Sequence, residues 1–158
     1  METTAQPTIY LAAASDPTYR RKIHPDSVKW SSYLEPLVKT ASEGSDVDEV
    51  VCHSNPASLD VICDFLDHWL KNPPAENEKL LDWDLQRLKD WSSVEEITLL
   101  QAANFLGIKP LEDKVILNLV KDVKDLDIPS VKGYLRTDRV FTKEEEEEVR
   151  ARINIAYY

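Results

Sequence analysis

The side chains of this chain that could do bond chemistry are few. There are two cysteines and three histidines, and only Cys52-His53, Cys63 and His68 come near enough in sequence to suggest four zinc ligands. Structural zinc sites, however, bring their ligands in two close pairs, commonly C-x₂₋₄-C with H-x₃₋₅-H. Cys52 and His53 are directly adjacent, and neighbouring residues of a strand point to opposite faces. The two cysteines therefore read as small buried hydrophobes. No glycine-rich phosphate loop or nucleophile elbow occurs, and no histidine stands in a pattern that pairs it with a nucleophile. The four tryptophans suggest packing rather than ligand stacking: Trp69 falls on an apolar helix face, and Trp30, Trp83 and Trp91 border helices. These residues predict no catalytic site, no metal and no cofactor, and so a protein that is not an enzyme.

With catalysis set aside, the bulk properties narrow the partners. The chain has 158 residues, 42% of them hydrophobic, enough for one domain with a real core. A formal charge of -10 disfavours nucleic acid, whose binding depends on Lys and Arg neutralising phosphates. No apolar run approaches the ~20 residues of a membrane span, and "METTAQPTIY" lacks the layout of a signal peptide. Two cysteines suit a reducing compartment. The expectation is a cytoplasmic and nuclear protein without nucleic-acid or membrane partners.

The elements that position the remaining residues follow from local patterns. "PTIYLAAASD", "TYRRKI" and "DEVVCHS" are three short strand candidates. In "DSVKWSSYLEPLVKT", Val28, Tyr33, Leu34 and Leu37 recur at helical intervals, with Pro36 predicting a kink or break. "SNPASLDVICDFLDHWLKNPP" sets Leu59, Ile62, Phe65, Leu66, Trp69 and Leu70 on one helix face and ends at Pro73-Pro74. Residues 72–82 read as an exposed connection. "WSSVEEITLLQAANFLG" opens with two overlapping capping boxes, Ser92 with Glu95 and Ser93 with Glu96, and ends at Gly107. Its inward face is predicted as Ile97, Leu100, Ala103 and Leu106, leaving Phe105 outside. "KPLEDKVILNLVKDVKD" carries Pro110 at its start and a wide stripe of Leu111, Val115, Ile116, Leu119, Val120 and Val123. "IPSVKGYL" suggests a short helix opened by Pro129.

The five glutamates of "VFTKEEEEEVRARI" look at first like a solvated tail. Thr142 and Glu145 nevertheless make a third capping box, and the acidic residues fall in the first turns, where the helix dipole favours them. Glu146–Arg150 and Glu148–Arg152 are favourable i,i+4 pairs. With an apolar side of only Val149, Ile153 and Tyr157, such a helix needs something to dock on: its own domain, or a partner that completes a groove.

In their order, "WDLQRLKDW", "ITLLQAANFLGIKPLEDKV", "SVKGYL" and "FTKEEEEEVR" resemble the C-terminal half of the Skp family, the F-box adaptors of SCF cullin–RING ubiquitin ligases. The resemblance runs from about Trp83 to Arg150. It is strongest at Ala102-Ala103-Asn104-Phe105-Leu106 and at Phe141-Thr142 with the acidic run. In the first half "PTIYLAAASD" and "SNPASLDVICDFLDHW" match more loosely.

The resemblance implies an α/β, BTB/POZ-type fold with a small three-stranded sheet, extended by C-terminal helices. On that basis residues 1–109 are the BTB/POZ-like domain and 110–158 the C-terminal helical extension, a Skp-type dimerisation region. It also implies an adaptor that binds a cullin through Asn104 and Phe105. F-box proteins would be held through Leu119, Val123, Val131, Leu135, Phe141 and Val149. Two departures fall on the F-box side. Ile155 stands where the family's last helix closes with an aromatic residue, and Thr137 where an apolar one is expected. The alternative is a structural subunit of a cullin-independent complex, using the same fold as a homodimer.

Overall fold

A computed structural model describes residues 8–41, 49–76, 78–124, 129–130, 142–145, 147–148 and 151. It is a mixed α/β fold with a three-stranded sheet and several helices, as the BTB/POZ resemblance implies. The apolar run after Pro7 forms β1 (Ile9–Ala13), which turns back into β2 (Asp16–Ile23) as an antiparallel hairpin. The third strand, β3 (Val50–Cys52), joins β1 in parallel, so the sheet order is β2-β1-β3. Parallel neighbours need a crossover of a dozen or more residues, and here it includes a 3₁₀ helix (Pro25–Trp30) and α1 (Leu34–Thr40). The central strand is the apolar one: Ile9, Leu11, Ala12 and Ala13 are all buried.

The 3₁₀ helix and α1 correct one expectation. The sequence from Asp26 to Thr40 does not form a single helix broken at Pro36; the break lies earlier, at Ser31–Tyr33. Ser31 Oγ donates to the Leu106 carbonyl and accepts from Leu34 N at 3.0 Å, and Ser32 N donates to Gly107 O at 3.1 Å. These long-range partners outbid helix continuation. Pro36 sits in the first turn of α1, where its missing N–H would have had no intrahelical partner.

The central helix is α2 (Pro56–Lys71). Asn55 caps it by accepting from Ser58 N at 2.9 Å, Pro56 fills its first position, and it stops ahead of Pro73-Pro74. Leu59, Ile62, Phe65, Leu66 and Trp69 are buried as predicted, but so are Val61 and Cys63. The helix is covered on more than one side because it packs against β1 and β2, the 3₁₀ helix and α4 (Ser93–Leu106). Between α2 and α4 the chain forms a short helix, α3 (Asp82–Arg87), which starts where the expected connection, residues 72–82, ends. It is held by Asp84, whose carboxylate accepts from Leu81 N at 2.9 Å and from Lys114 Nζ at 2.6 Å. Lys114 belongs to α5 (Lys109–Val123) and is 3% exposed; its second ion-pair partner is Glu78, at 3.1 Å. The connection is thereby tied to α5.

By compactness the chain divides into two units, Met1–Asp125 and Leu126–Tyr158. All the elements above belong to the first. Of the second, residues 129–130 are helical, as the reading of Pro129 predicts, and so are 143–145, 147–148 and 151. Among the described residues no helix is long and apolar enough to cross a membrane.

Candidate partner-binding surfaces

The residues first considered for metal chemistry lie in separate surroundings. Cys52 on β3 and Cys63 on α2 are free and buried, while His53 is exposed. Burial pushes the Cys52 thiol up to about 11 and the Cys63 thiol up to about 12, which suppresses the reactive thiolate. His68 stacks flat on Trp83, ring centroids 3.9 Å apart. Among the described residues no group of three or more His, Cys, Asp or Glu could hold a metal ion. The tryptophans serve packing: Trp69 is 1% exposed and meets Trp30 and Phe65 edge-on.

The first surface is built on the C-terminal turn of α4. This helix starts with the Ser92–Glu95 box: Ser92 N donates to Glu95 Oε2 at 2.7 Å, and Glu95 N donates to Ser92 Oγ at 3.3 Å. The overlapping box expected from Ser93 and Glu96 does not form. Once Ser92 is the cap, Ser93 already has helical backbone angles and is buried, and Glu96 turns toward α5. There its Oε1 accepts a hydrogen bond from Asn118 Nδ2. The buried arc is accordingly Glu96, Leu99, Ala102, Ala103 and Leu106, with Ile97 and Leu100 only half-buried. The predicted face was shifted because α4 packs against both α2 and α5, so that its burial is no single stripe.

Helix α4 ends at Gly107, which has φ 63°, and Ile108 N donates back to Ala103 O at 2.9 Å. A Cβ on Gly107 would lie 1.9 Å from Ser32 Oγ, so a larger residue must displace that hydroxyl as well as adopt a backbone angle that favours glycine. The segment Ser31–Tyr33 supplies the donors for the last carbonyls of α4, among them Tyr33 N to Leu106 O at 3.3 Å. This docking delivers the Tyr33 ring to Phe105, with centroids 5.1 Å apart. Phe105 is 45% exposed and Tyr33 42%. Asn104 is exposed too, and its Nδ2 donates to Glu112 Oε1 at 2.7 Å. Phe105 thus lies outside the inward face as predicted, while Tyr33, read from the sequence as part of a helix face, is its exposed neighbour. Spacing gave no sign of that pairing, because the two residues belong to elements far apart in the chain.

The second surface is the outer side of α5. Of the predicted stripe, Leu111 and Val115 are buried, Leu119 and Val123 are half-buried, and Ile116 and Val120 are exposed together with Leu117. The other residues considered for this role, Val131, Leu135, Phe141 and Val149, lie outside the described residues, as do Thr137 and Ile155. So does at least one member of each pair, Glu146–Arg150 and Glu148–Arg152. The capping box in front of the glutamates is present: Thr142 N donates to Glu145 Oε2 at 3.0 Å and Glu145 N to Thr142 Oγ1 at 3.2 Å.

Comparison with profiles of known protein families finds no match. Comparison with individual curated proteins does. Over 75 residues, 48% of this chain, it is 31% identical to SKP1-like protein 19 of Arabidopsis thaliana, an alignment covering 38% of that protein. Over 77 residues, 49% of this chain, it is 31% identical to SKP1-like protein 10 of the same plant, covering 50% of it. The chain spans half or less of the length of these curated relatives. Its likeness to SKP1-like proteins extends over about half of its own length and accompanies a mixed α/β fold of the corresponding type.

Proposed function

We propose that this protein is a non-enzymatic adaptor that links a cullin to F-box substrate receptors in an SCF-type ubiquitin ligase. The observation that carries the reading is the pair Asn104 and Phe105, side by side and exposed on the last turn of α4, between the buried Ala103 and Leu106. An exposed aromatic next to a polar anchor is what interface centres favour. The likeness to SKP1-like proteins supports the same reading. F-box proteins are held through Leu119, Val123, Val131, Leu135, Phe141 and Val149. In this reading residues 1–109 are the BTB/POZ-like part and 110–158 the helical extension, and the protein works in the cytoplasm and nucleus.

Co-purification tests it. The tagged full-length chain recovers a cullin together with F-box proteins, and the double change Asn104→Lys, Phe105→Lys loses the cullin and keeps the F-box proteins, since charge is depleted from interface cores. Recovery of F-box proteins without any cullin, or of neither, would favour a structural subunit of another assembly.

A further inference from the structure

Two large rings, Tyr33 and Phe105, touch each other at the surface and each keeps more than 40% of its area in water. They come from separate elements, and their meeting is enforced by the hydrogen bonds from Ser31, Ser32 and Tyr33 to the end of α4. Glu112 is joined to Asn104, the residue before Phe105. One of its oxygens is oriented by Asn104, and it has no salt bridge among the described residues. Lys109, the nearby cation, is bound by Asp113 at 2.5 Å and also feels the charge of Glu112. An aromatic platform that is held rigidly loses little freedom on binding, and with one cation, Lys109, shared between Asp113 and Glu112 the neighbouring surface keeps a net negative charge that favours a basic partner.

We infer that Tyr33, Phe105 and Glu112 form one composite contact. The two rings take an apolar side chain of a partner helix, and Glu112 takes a basic side chain one turn away on the same helix. The inference rests on the cullin reading and names two residues, Tyr33 and Glu112, that would set which cullin surface fits. A second copy of this chain is disfavoured as the occupant, because it would bring another formal charge of -10 toward the same carboxylate.

The test is calorimetric and kinetic binding of the full chain to the N-terminal helical domain of a cullin. Tyr33→Ala is expected to weaken binding by about tenfold or more and Tyr33→Phe by less than about twofold. Glu112→Gln should flatten the salt dependence of the association rate, and Glu112→Lys should slow association. Tyr33→Ala and Phe105→Ala together should cost less than the sum of the two, as for residues acting through one contact. Unchanged thermal unfolding of each variant assigns the losses to the interface. If the parent binds and Phe105→Lys does not, but Tyr33→Ala binds like the parent, the composite contact is overturned and the cullin reading stands. No binding by the parent overturns both. Weaker self-association of Tyr33→Ala with intact cullin binding would give the rings to a second copy and also overturn the inference.

Discussion

At position 96 a carboxylate occupies a place between two helices where an apolar side chain would pack more cheaply. Glu96 is 1% exposed; Asn118 satisfies one oxygen and the other, Oε2, has no hydrogen-bond partner among the described residues. Burial pushes its carboxyl up to about 6, opposed by the Asn118 hydrogen bond, with Asp122 pushing further up and Lys121 down. Between the ordinary value of 4.5 and about 6 the folded chain holds this proton more tightly than the unfolded chain. This group's contribution to stability therefore falls as pH rises through that window. Glu96→Gln keeps an acceptor for Asn118 and removes the titration. It should stabilise the fold relative to the parent at pH 7.5, with the difference fading toward pH 4, as measured by chemical denaturation at both values. Gly107 gives a second prediction at this scale. Gly107→Ala must adopt φ 63° and displace Ser32 Oγ, a loss of at least about 1 kcal/mol. Adding Ser32→Ala should recover only part of it, because the backbone strain and the contact with Ser32 Cβ at 3.1 Å remain.

Among the elements, the helices differ in what they depend on. The start of α2 is set by Asn55 and Pro56 and would form wherever its apolar face were covered. By contrast, α3 is held by the buried Asp84–Lys114 pair, a contact between side chains 30 positions apart. The acidic stretch has a local start like that of α2. Thr142 and Glu145 exchange hydrogen bonds across the first turn, so the glutamates begin in a helix rather than in a tail. Thr142→Ala should cost about 1 kcal/mol of local helix stability. Circular dichroism of a peptide covering residues 140–153 should show the loss of helicity directly. If the segment serves F-box binding through its apolar side, the same change in the full chain should lower that affinity only mildly.

For the whole molecule, the division into Met1–Asp125 and Leu126–Tyr158 puts the proposed cullin face in the first unit and four of the six proposed F-box residues, Val131, Leu135, Phe141 and Val149, in the second. Asn104, Phe105, Tyr33 and Glu112 all belong to the first unit. A chain ended at Asp125 should bind a cullin N-terminal domain with the affinity of the full chain and bind an F-box protein about tenfold or more weakly, both read by calorimetry. Undiminished F-box binding would remove the second unit, its glutamates included, from that surface.

What could be read from the sequence is what depends on near neighbours. The three strands, the face of α2 from Leu59 to Trp69, the Ser92–Glu95 and Thr142–Glu145 boxes and the terminator Gly107 are each decided within a few residues, where apolar period, capping oxygens and backbone freedom act. The prominence of Phe105 also followed, from its place off the inward face of α4. What only the tertiary structure decided are the matters settled by partners far along the chain. Ser31 and Ser32 break a helix because the carbonyls of Leu106 and Gly107 need donors. Glu96 abandons a second capping box because Asn118 offers a hydrogen bond on α5. Lys114 is buried because Asp84 and Glu78 converge on it. Tyr33 becomes a surface residue for the same reason: the end of α4 anchors its backbone, and its ring comes to rest on Phe105. Local periodicity carries no information about such pairings, since each is specified only when two distant segments meet.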